Sequence, residues 1–480
     1  MTDTFNIKSV RHLFFKEDLF FRLLGGVFCV LLVFILFLSF YKKFNHDEFE
    51  AIHVSWKILN GERIYIDFFE NHHPFFFHLL APLIGIFKES VNVIVAARGL
   101  IFVMLLLIFA VTYNISKNLL GKEAAIIGLI LLATTKIFIL KAVEVRTDVP
   151  QVLFGLLSIS LLFSYLQNKS LKYLIGSSLF LGVSFLFLQK TVFLAFIIGL
   201  LLVLSAYSKQ VRFKDVGVYL LVFIAVLAPY YGYLILNGQL HAYWINNWTM
   251  NIGAFQTNAS RGEYAIQKLI FAFKDNPLLW VFWILFFIFM DTQYRERIGS
   301  LCLFLLIVFV SIQVPWFQYL MLPLPLVAMM AGYAVYRVAS LFPKWKIIII
   351  SGVVIISIFY SFNTYLKGIK DSSNTTILKK IEYVVSITNP KDFVYDGDIQ
   401  FNLFRKDLDF FWFHTGNNYS NGARSWSKDY VKYHYNIYEL IDKFKPKVIS
   451  SHRILDLKDD TIAKHYRRSD EYQDLFIRTN

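Results

Sequence analysis

Just behind the apolar run LLGGVFCVLLVFILFLSFY, residues 44–74 read FNHDEFEAIHVSWKILNGERIYIDFFENHHP. They carry Asp47, Glu48, Asp67, Glu70 and the histidines His46, His53, His72 and His73. With His78, five of the chain's 11 histidines lie in or just beyond this stretch. Charge beside a bilayer is costly, so the concentration needs a use. A carboxylate such as Asp47 could take the proton of an attacking hydroxyl. Carboxylates with imidazoles could also ligate a divalent cation. The plainer use is structural, because Asp47 and Glu48 can cap a helix and favour its positive end.

Three further sites put charge inside apolar sequence. Arg98 lies in AARGLIFVMLLL, Glu144, Arg146 and Asp148 in KAVEVRTDVPQVLF, and Lys190 in FLFLQKTVFLAF. Singly, Arg98 and Lys190 could snorkel to the headgroups and Arg146 could pair with its neighbours. Together, carboxylates and cations gathered at one membrane face are what transfer from a lipid phosphate would need, since guanidinium and ammonium groups neutralise phosphate oxygens.

Membrane helices must position these groups. The chain is 56% hydrophobic and 18% aromatic with mean hydropathy +0.52 over 480 residues, against about 45–50% apolar for soluble chains. Eleven stretches qualify as spans of ~20 apolar residues: 22–41, 92–113, 124–140, 149–167, 171–188, 191–207, 216–236, 277–291, 299–314, 319–340 and 346–365. With the N-terminus cytoplasmic, the inside loops hold most of the lysine and arginine of the short connections, the expected bias. That reading explains the net charge of +14 without a nucleic-acid partner. An odd number of spans then puts residues 42–90 and the C-terminal tail outside. EAIHVSWKIL has helical spacing, with Ile52, Trp56 and Leu59 on one face, and predicts a helix along the membrane surface ended by Gly61. The loop 237–277 is rich in aromatic and amide groups, and Tyr243, Trp244, Trp248 and Arg261 could stack on sugar rings or close over a donor.

The expected architecture is a polytopic α-helical membrane domain over residues 1–365 followed by a small external α/β domain over 366–480. In that tail ILKKIEYVVS and YNIYELIDKF have helical patterns, while KPKVISSH and the run broken by Asn-Pro and Asp-Gly read as strands. Cys29 and Cys302 both lie in apolar segments and imply neither a disulfide framework nor a cysteine metal site.

In order and spacing these residues resemble the GT-C glycosyltransferases that use polyprenyl-phosphate sugars, the protein O-mannosyltransferases and lipid A aminoarabinose transferases among them. Asp47 and Glu48 match an acidic motif at the start of the first external loop. YIDFFENHHP is similar to an aromatic-x-Asp segment followed by a Lys-Pro or His-Pro pair. Arg98 resembles an arginine opening the second span, Asp148 an aspartate after the third, and QYLMLPLPLVA at 318–328 a Tyr-x-x-x-Pro signature, with Pro323 and Pro325 closer together than in the family pattern.

The resemblance implies an inverting transfer of a sugar from a polyprenyl-phosphate donor to a glycan, lipid or protein acceptor at the external face of a bacterial plasma membrane. Asp47 is the expected base, Glu48 orients acceptor or sugar, and Asp148 holds a cation or contacts the sugar. Asp67, His72, His73, Arg98, Arg146, Lys190 and Tyr319 are expected at the donor and its phosphate. His73 stands where some relatives have lysine, so a cationic role would depend on protonating a group whose ordinary pKa is near 6.5. A divalent cation, Mg²⁺, Mn²⁺ or Zn²⁺, on Asp47, Glu48, Asp148 and the nearby histidines is the main variant. The rival class is a flippase or transporter of lipid-linked sugar, which would expect inverted repeats and charge on several spans.

Overall fold

The computed structural model describes residues 7–254, 263–289, 292–311, 317–370, 374–397, 400–411, 437–451 and 460–479. Helix α1 (Ile7–Tyr41) leads through a short turn into α2 (His46–Leu59), the expected helix of the first loop. Glu48 caps α2 by accepting the Asn45 backbone N–H at 2.8 Å. At the other end Gly61 has φ +85° and its N–H reaches the Ile58 carbonyl, while Glu62 N–H reaches Lys57. These two bonds close the helix in a left-handed turn that only glycine adopts without cost. Ile52 and Trp56 face inward as their spacing predicts, but Leu59 is half exposed.

The helices that follow are α3 (Phe75–Phe87), α4 (Asn92–Leu120), α5 (Lys122–Ala133), α6 (Lys136–Ala142), α7 (Asp148–Asn168), α8 (Leu171–Phe187), α9 (Thr191–Tyr207), α10 (Phe213–Leu236), α11 (Leu240–Trp244), α12 (Met250–Ala254), α13 (Glu263–Asp275), α14 (Pro277–Phe286) and α15 (Gln293–Ser311). Among the described residues five helices are long and apolar enough to cross a membrane by themselves: α1, α4, α7, α10 and α17 (Lys346–Lys370). Two bent pairs could make seven. The eleven expected spans are therefore not reproduced as eleven long helices. The stretches 171–188 and 191–207 form 17-residue helices, and 277–291 and 299–314 run partly outside the described residues.

The stretch 124–140, expected as one span, bends by 73° between α5 and α6. Thr134 and Thr135 cause the break locally. Their hydroxyls donate to the Ile130 and Leu131 carbonyls at 2.9 and 2.7 Å, offering the backbone a substitute for continued helix. Asp275 then accepts the Ile137 N–H at 3.1 Å and starts α6 afresh. Against α5 packs α16 (Pro323–Ser340), brought so near by glycines that a Cβ on Gly332 would lie 2.8 Å from Gly128 Cα.

The tail begins with α18 (Asn374–Ile387) and holds a four-stranded sheet: β1 (Val394–Tyr395), β2 (Val448–Ser450), β3 (Tyr466–Arg468) and β4 (Leu475–Arg478), in the order β1-β2-β4-β3. β1 and β2 are parallel and the other pairs antiparallel. Tyr395, Leu440, Ile441 and Ile449 belong to a small core of their own. Ile381, Leu403, Phe404, Phe410 and Val448 instead join the continuous core of the helical region. A buried polar clamp reinforces that seam: Asp407 accepts from His53 Nε2 at 2.8 Å, Lys57 Nζ at 2.6 Å and Asn402 Nδ2 at 2.8 Å, tying the tail to α2.

Candidate active site

The N-terminus of α2, the turn between α6 and α7, and the turn between α8 and α9 converge on one cluster of charge. Arg146 is its centre. Its guanidinium pairs with Asp47, with Glu144 at 3.1 Å and with Asp148 at 3.3 Å. Glu144 also receives Lys42 at 2.6 Å and Lys141 at 3.0 Å. Asp148 receives Lys190 at 3.4 Å, and the Lys190 ammonium stands 3.7 Å from the centre of the Tyr319 ring. Four cations, Lys42, Lys141, Arg146 and Lys190, thus meet the carboxylates Asp47, Glu144 and Asp148 in one place.

The three carboxylates differ in access. The side chains of Glu144 and Asp148 are 1% and 6% exposed, whereas that of Asp47 is 38% exposed. Burial would push the Asp47 carboxyl up, but Arg146, His46 and Lys141 outweigh it and hold it below the usual carboxylate range. Burial acts likewise on Glu144, where Arg146, Lys42 and Lys141 prevail and hold it at about 2. Both are ionised at neutral pH. Arg146 remains charged, its pKa raised by Asp47, Asp148 and Glu144 against the pull of burial.

A second group of acids lies beside Asp47 on α2. Glu50, one turn on, gathers with His46 and Asp47 on one side and with Glu70 and His72 on the other, the donor atoms of each trio lying within 4.8 Å of one another. Glu70 Oε1 accepts the His72 ring N–H at 2.7 Å and the backbone N–H groups of Asn71 and His72 at 2.9 Å. Burial, then the neighbouring Glu70 and Asp47 carboxylates, raise the Glu50 carboxyl well above its ordinary range.

Several expected residues are placed otherwise. Arg98 and Glu48 are fully buried and face each other, Nη2 to Oε1 at 2.7 Å and Nε to Oε2 at 2.8 Å. The remaining Arg98 donor binds the carbonyls of Ser39 and Lys42 at 3.1 and 2.7 Å. Arg98 is therefore a structural tie from α4 to the end of α1 and the start of α2, and its donors are directed at protein rather than at a phosphate. Glu48, turned to Arg98 and to the Val145 N–H at 3.1 Å, is no part of either metal-competent trio. Asp148 belongs to neither, being held by Arg146 and Lys190. Of the metal ligands expected from sequence, Asp47 and the nearby His46 belong to a convergent trio, whereas Glu48 and Asp148 do not.

His73 is also not a cation. It is 1% exposed; Nδ1 donates to the Phe185 carbonyl at 2.6 Å, and Nε2 accepts the Tyr243 hydroxyl at 2.9 Å. Burial pushes its pKa down to about 3, so it stays neutral. Asp67 forms a surface pair with Arg63 at 2.8 Å. Of the aromatic loop, Tyr243 is buried against His73 and Trp248 donates to its hydroxyl at 3.2 Å, while Trp244 is exposed. Arg261 lies outside the described residues.

Lys42, Lys141, Glu50 and Glu70 join the cluster without having been assigned roles from sequence. Glu50 had a signal: it lies three residues beyond Asp47, the spacing that puts two side chains on one helix face.

Residues 71–233 match the family model described as dolichyl-phosphate-mannose-protein mannosyltransferase. Among curated proteins no sequence matches the chain. In fold it is similar to ArnT from Cupriavidus metallidurans bound to undecaprenyl phosphate, with a TM-score of 0.66 at 11% identity, covering 95% of this chain and 97% of that one. It is also similar to the archaeal oligosaccharyltransferase AglB from Archaeoglobus fulgidus in complex with an inhibitory peptide and a dolichol-phosphate, with a TM-score of 0.55 at 13% identity over 95% of this chain and 74% of that one. A crystal structure of the Archaeoglobus fulgidus oligosaccharyltransferase with Zn and sulfate matches with a TM-score of 0.56 at 14% identity, over 95% and 73% of the two chains. Residues 71–233 thus match a mannosyltransferase family model, and nearly the whole chain is similar in fold to ArnT and to the archaeal oligosaccharyltransferase.

Proposed function

We propose that the protein is an inverting glycosyltransferase that moves a sugar from a polyprenyl-phosphate donor to a hydroxyl of a cell-envelope acceptor, with Asp47 as the base. The observation that carries this reading is the accessibility of Asp47: among the carboxylates bound to Arg146 it alone reaches the surface, and it does so beside the cations Arg146, Lys42, Lys141 and Lys190. The acceptor oxygen bonds to the anomeric carbon as the carbon–oxygen bond to phosphate breaks. The hydroxyl proton passes to Asp47, and the lipid phosphate leaves as an anion. Lys190 and Arg146 neutralise that anion, exchanging part of their hold on Asp148 and Asp47 for phosphate oxygens. Release of Arg146 raises the basicity of Asp47 as the reaction needs it. Tyr319 keeps the Lys190 ammonium in place through its ring.

Either trio, His46 with Asp47 and Glu50 or Glu50 with Glu70 and His72, fits a divalent cation in chemistry, mixing carboxylate oxygen with imidazole nitrogen. An ion held there would offset the mutual repulsion of the carboxylates and supply Lewis-acid stabilisation of developing negative charge. The transfer is assigned to the outer face of a bacterial plasma membrane, with the N-terminus cytoplasmic and residues 366–480 an external domain, on the basic bias of the opposite loops.

The test is turnover of undecaprenyl-phosphate sugars by the purified protein in lipid nanodiscs, with Asp47→Asn beside wild type. General-base loss predicts a fall of roughly 10²–10⁴-fold in kcat. Equal turnover removes Asp47 as the base, and lipid-linked sugar crossing a vesicle membrane without transfer would favour a flippase.

A further inference from the structure

Two buried amide side chains flank the ion pair of Asp148 with Lys190. Gln189 directly precedes Lys190 in the turn between α8 and α9, and Gln151 follows Asp148 by three residues on α7. That spacing puts Gln151 on the Asp148 face of the helix, and helical side chains lean toward the N-terminus, here toward Asp148. Gln189 is 8% exposed and Gln151 3%. Each carries one buried polar atom without a hydrogen-bond partner among the described residues, Oε1 of Gln189 and Nε2 of Gln151. Folded chains leave few such atoms unmet, because the hydrogen bond given up to water is not replaced.

The surroundings hold both groups in place. Gln189 Nε2 donates to the Asn71 carbonyl at 2.8 Å, and Asn251 Nδ2 donates to the same carbonyl at 2.9 Å. The Gln189 amide nitrogen is thereby turned toward Asn71 and its oxygen away. Ser184 in α8 donates its hydroxyl to the Gln151 carbonyl at 2.8 Å and receives the Thr191 hydroxyl at 3.1 Å. The residues just after Gln189 are therefore tied to the first turn of α7. One acceptor and one donor stand open beside the cation assigned to the donor phosphate. A hydroxyl gives one hydrogen bond and takes others, so it uses both. A phosphate oxygen can only accept and an ammonium can only donate, so neither satisfies the two.

We propose that Gln151 and Gln189 form the subsite for the transferred sugar, Gln189 Oε1 accepting from its hydroxyls and Gln151 Nε2 donating to them. The inference rests on the transferase reading above and names the chemistry that reads the sugar: a neutral, hydroxyl-bearing face. The phosphate is left to Lys190 and Arg146, and the two glutamines distinguish a sugar-loaded lipid from a bare one.

The test compares undecaprenyl phosphate, undecaprenyl-phosphate-mannose and undecaprenyl-phosphate-glucose on the full chain in nanodiscs, with affinities read by native mass spectrometry. Wild type should bind the two sugar lipids more tightly than the bare phosphate. Gln151→Met with Gln189→Met should reduce that preference by about 10-fold, one hydrogen bond being lost at each position, and should leave the affinity for bare undecaprenyl phosphate unchanged. Methionine keeps the side-chain length while removing both amide atoms. If the double variant does not fold, Gln151→Met alone serves and should reduce the preference by about 3-fold. Wild type binding all three lipids alike, a variant that keeps the wild-type preference, or a variant that loses bare phosphate in equal measure would each overturn the subsite and leave the transferase reading standing. Failure of wild type to bind any of the lipids would overturn both.

Discussion

Replacing Arg98 with glutamine should destabilise the protein rather than merely weaken its hold on a donor. The guanidinium makes two bonds to Glu48, three to the carbonyls of Ser39, Lys42 and Lys43 at and just beyond the end of α1, and lies 4.2 Å from the centre of the Phe44 ring. Both partners of the pair are fully buried. Breaking such a pair costs about 3–5 kcal/mol, because the surviving charge keeps its desolvation penalty without its counter-ion. Glu48 would retain the Asn45 and Val145 N–H groups, and the Lys42 carbonyl would retain Asn374 Nδ2 at 2.9 Å. Those bonds place the loss near the lower end, about 3 kcal/mol, still a large share of the ~5–15 kcal/mol that holds a typical fold together. The assay is tryptophan fluorescence during denaturant titration in detergent, with polyprenyl-phosphate affinity measured in parallel. The double variant Glu48→Gln with Arg98→Gln removes both charges and should regain more than half of the loss. Wild-type stability in Arg98→Gln, accompanied by loss of phosphate affinity, would refute the structural assignment and make Arg98 a donor-binding group.

Three more outcomes follow from the same geometry. His73 has a folded pKa of about 3 against 6.5 unfolded; the unfolded chain takes up the proton first, so stability is lost as pH falls below 6.5, by about 2 kcal/mol at pH 5. The fall in thermal midpoint from pH 7 to 5 should shrink in His73→Asn, and an equal fall in both proteins would refute it. Asp407→Ala should leave Lys57 buried with Glu62 at 3.0 Å as its one remaining carboxylate among the described residues, costing about 3 kcal/mol; limited trypsin digestion should then release the tail sooner, and unchanged digestion would argue against the clamp. Gly332→Ala should force α16 away from α5, losing about 1–3 kcal/mol of thermal stability, and a variant as stable as wild type would show that the two helices can separate without cost.

What the sequence makes readable here is charge out of place. Asp47, Arg146, Asp148 and Lys190 stand out because each interrupts apolar sequence, and those four meet in space. Pattern does not report which way a buried group turns. Arg98 and His73 have the right types for a phosphate site, yet Arg98 is spent on Glu48 and two carbonyls, and His73 is neutral because burial removes its proton. Nor does hydropathy register the Thr134 and Thr135 hydroxyls that break an apolar stretch into α5 and α6. Helices of the tail were visible from their period, as were Gly61 and its helix end. The sheet was harder, since β1 is two residues long and acquires its register only from β2, more than fifty residues later.

The cluster around Arg146 draws on Lys42, Asp47, Lys190 and Tyr319, segments that the ribosome delivers far apart in time. Until residue 319 has emerged, Lys190 has no ring to rest on, and until Arg146 arrives Asp47 lacks its counter-charge. A chain truncated before residue 319 would therefore lack the ring beneath Lys190, and the cluster takes its full form only late in synthesis.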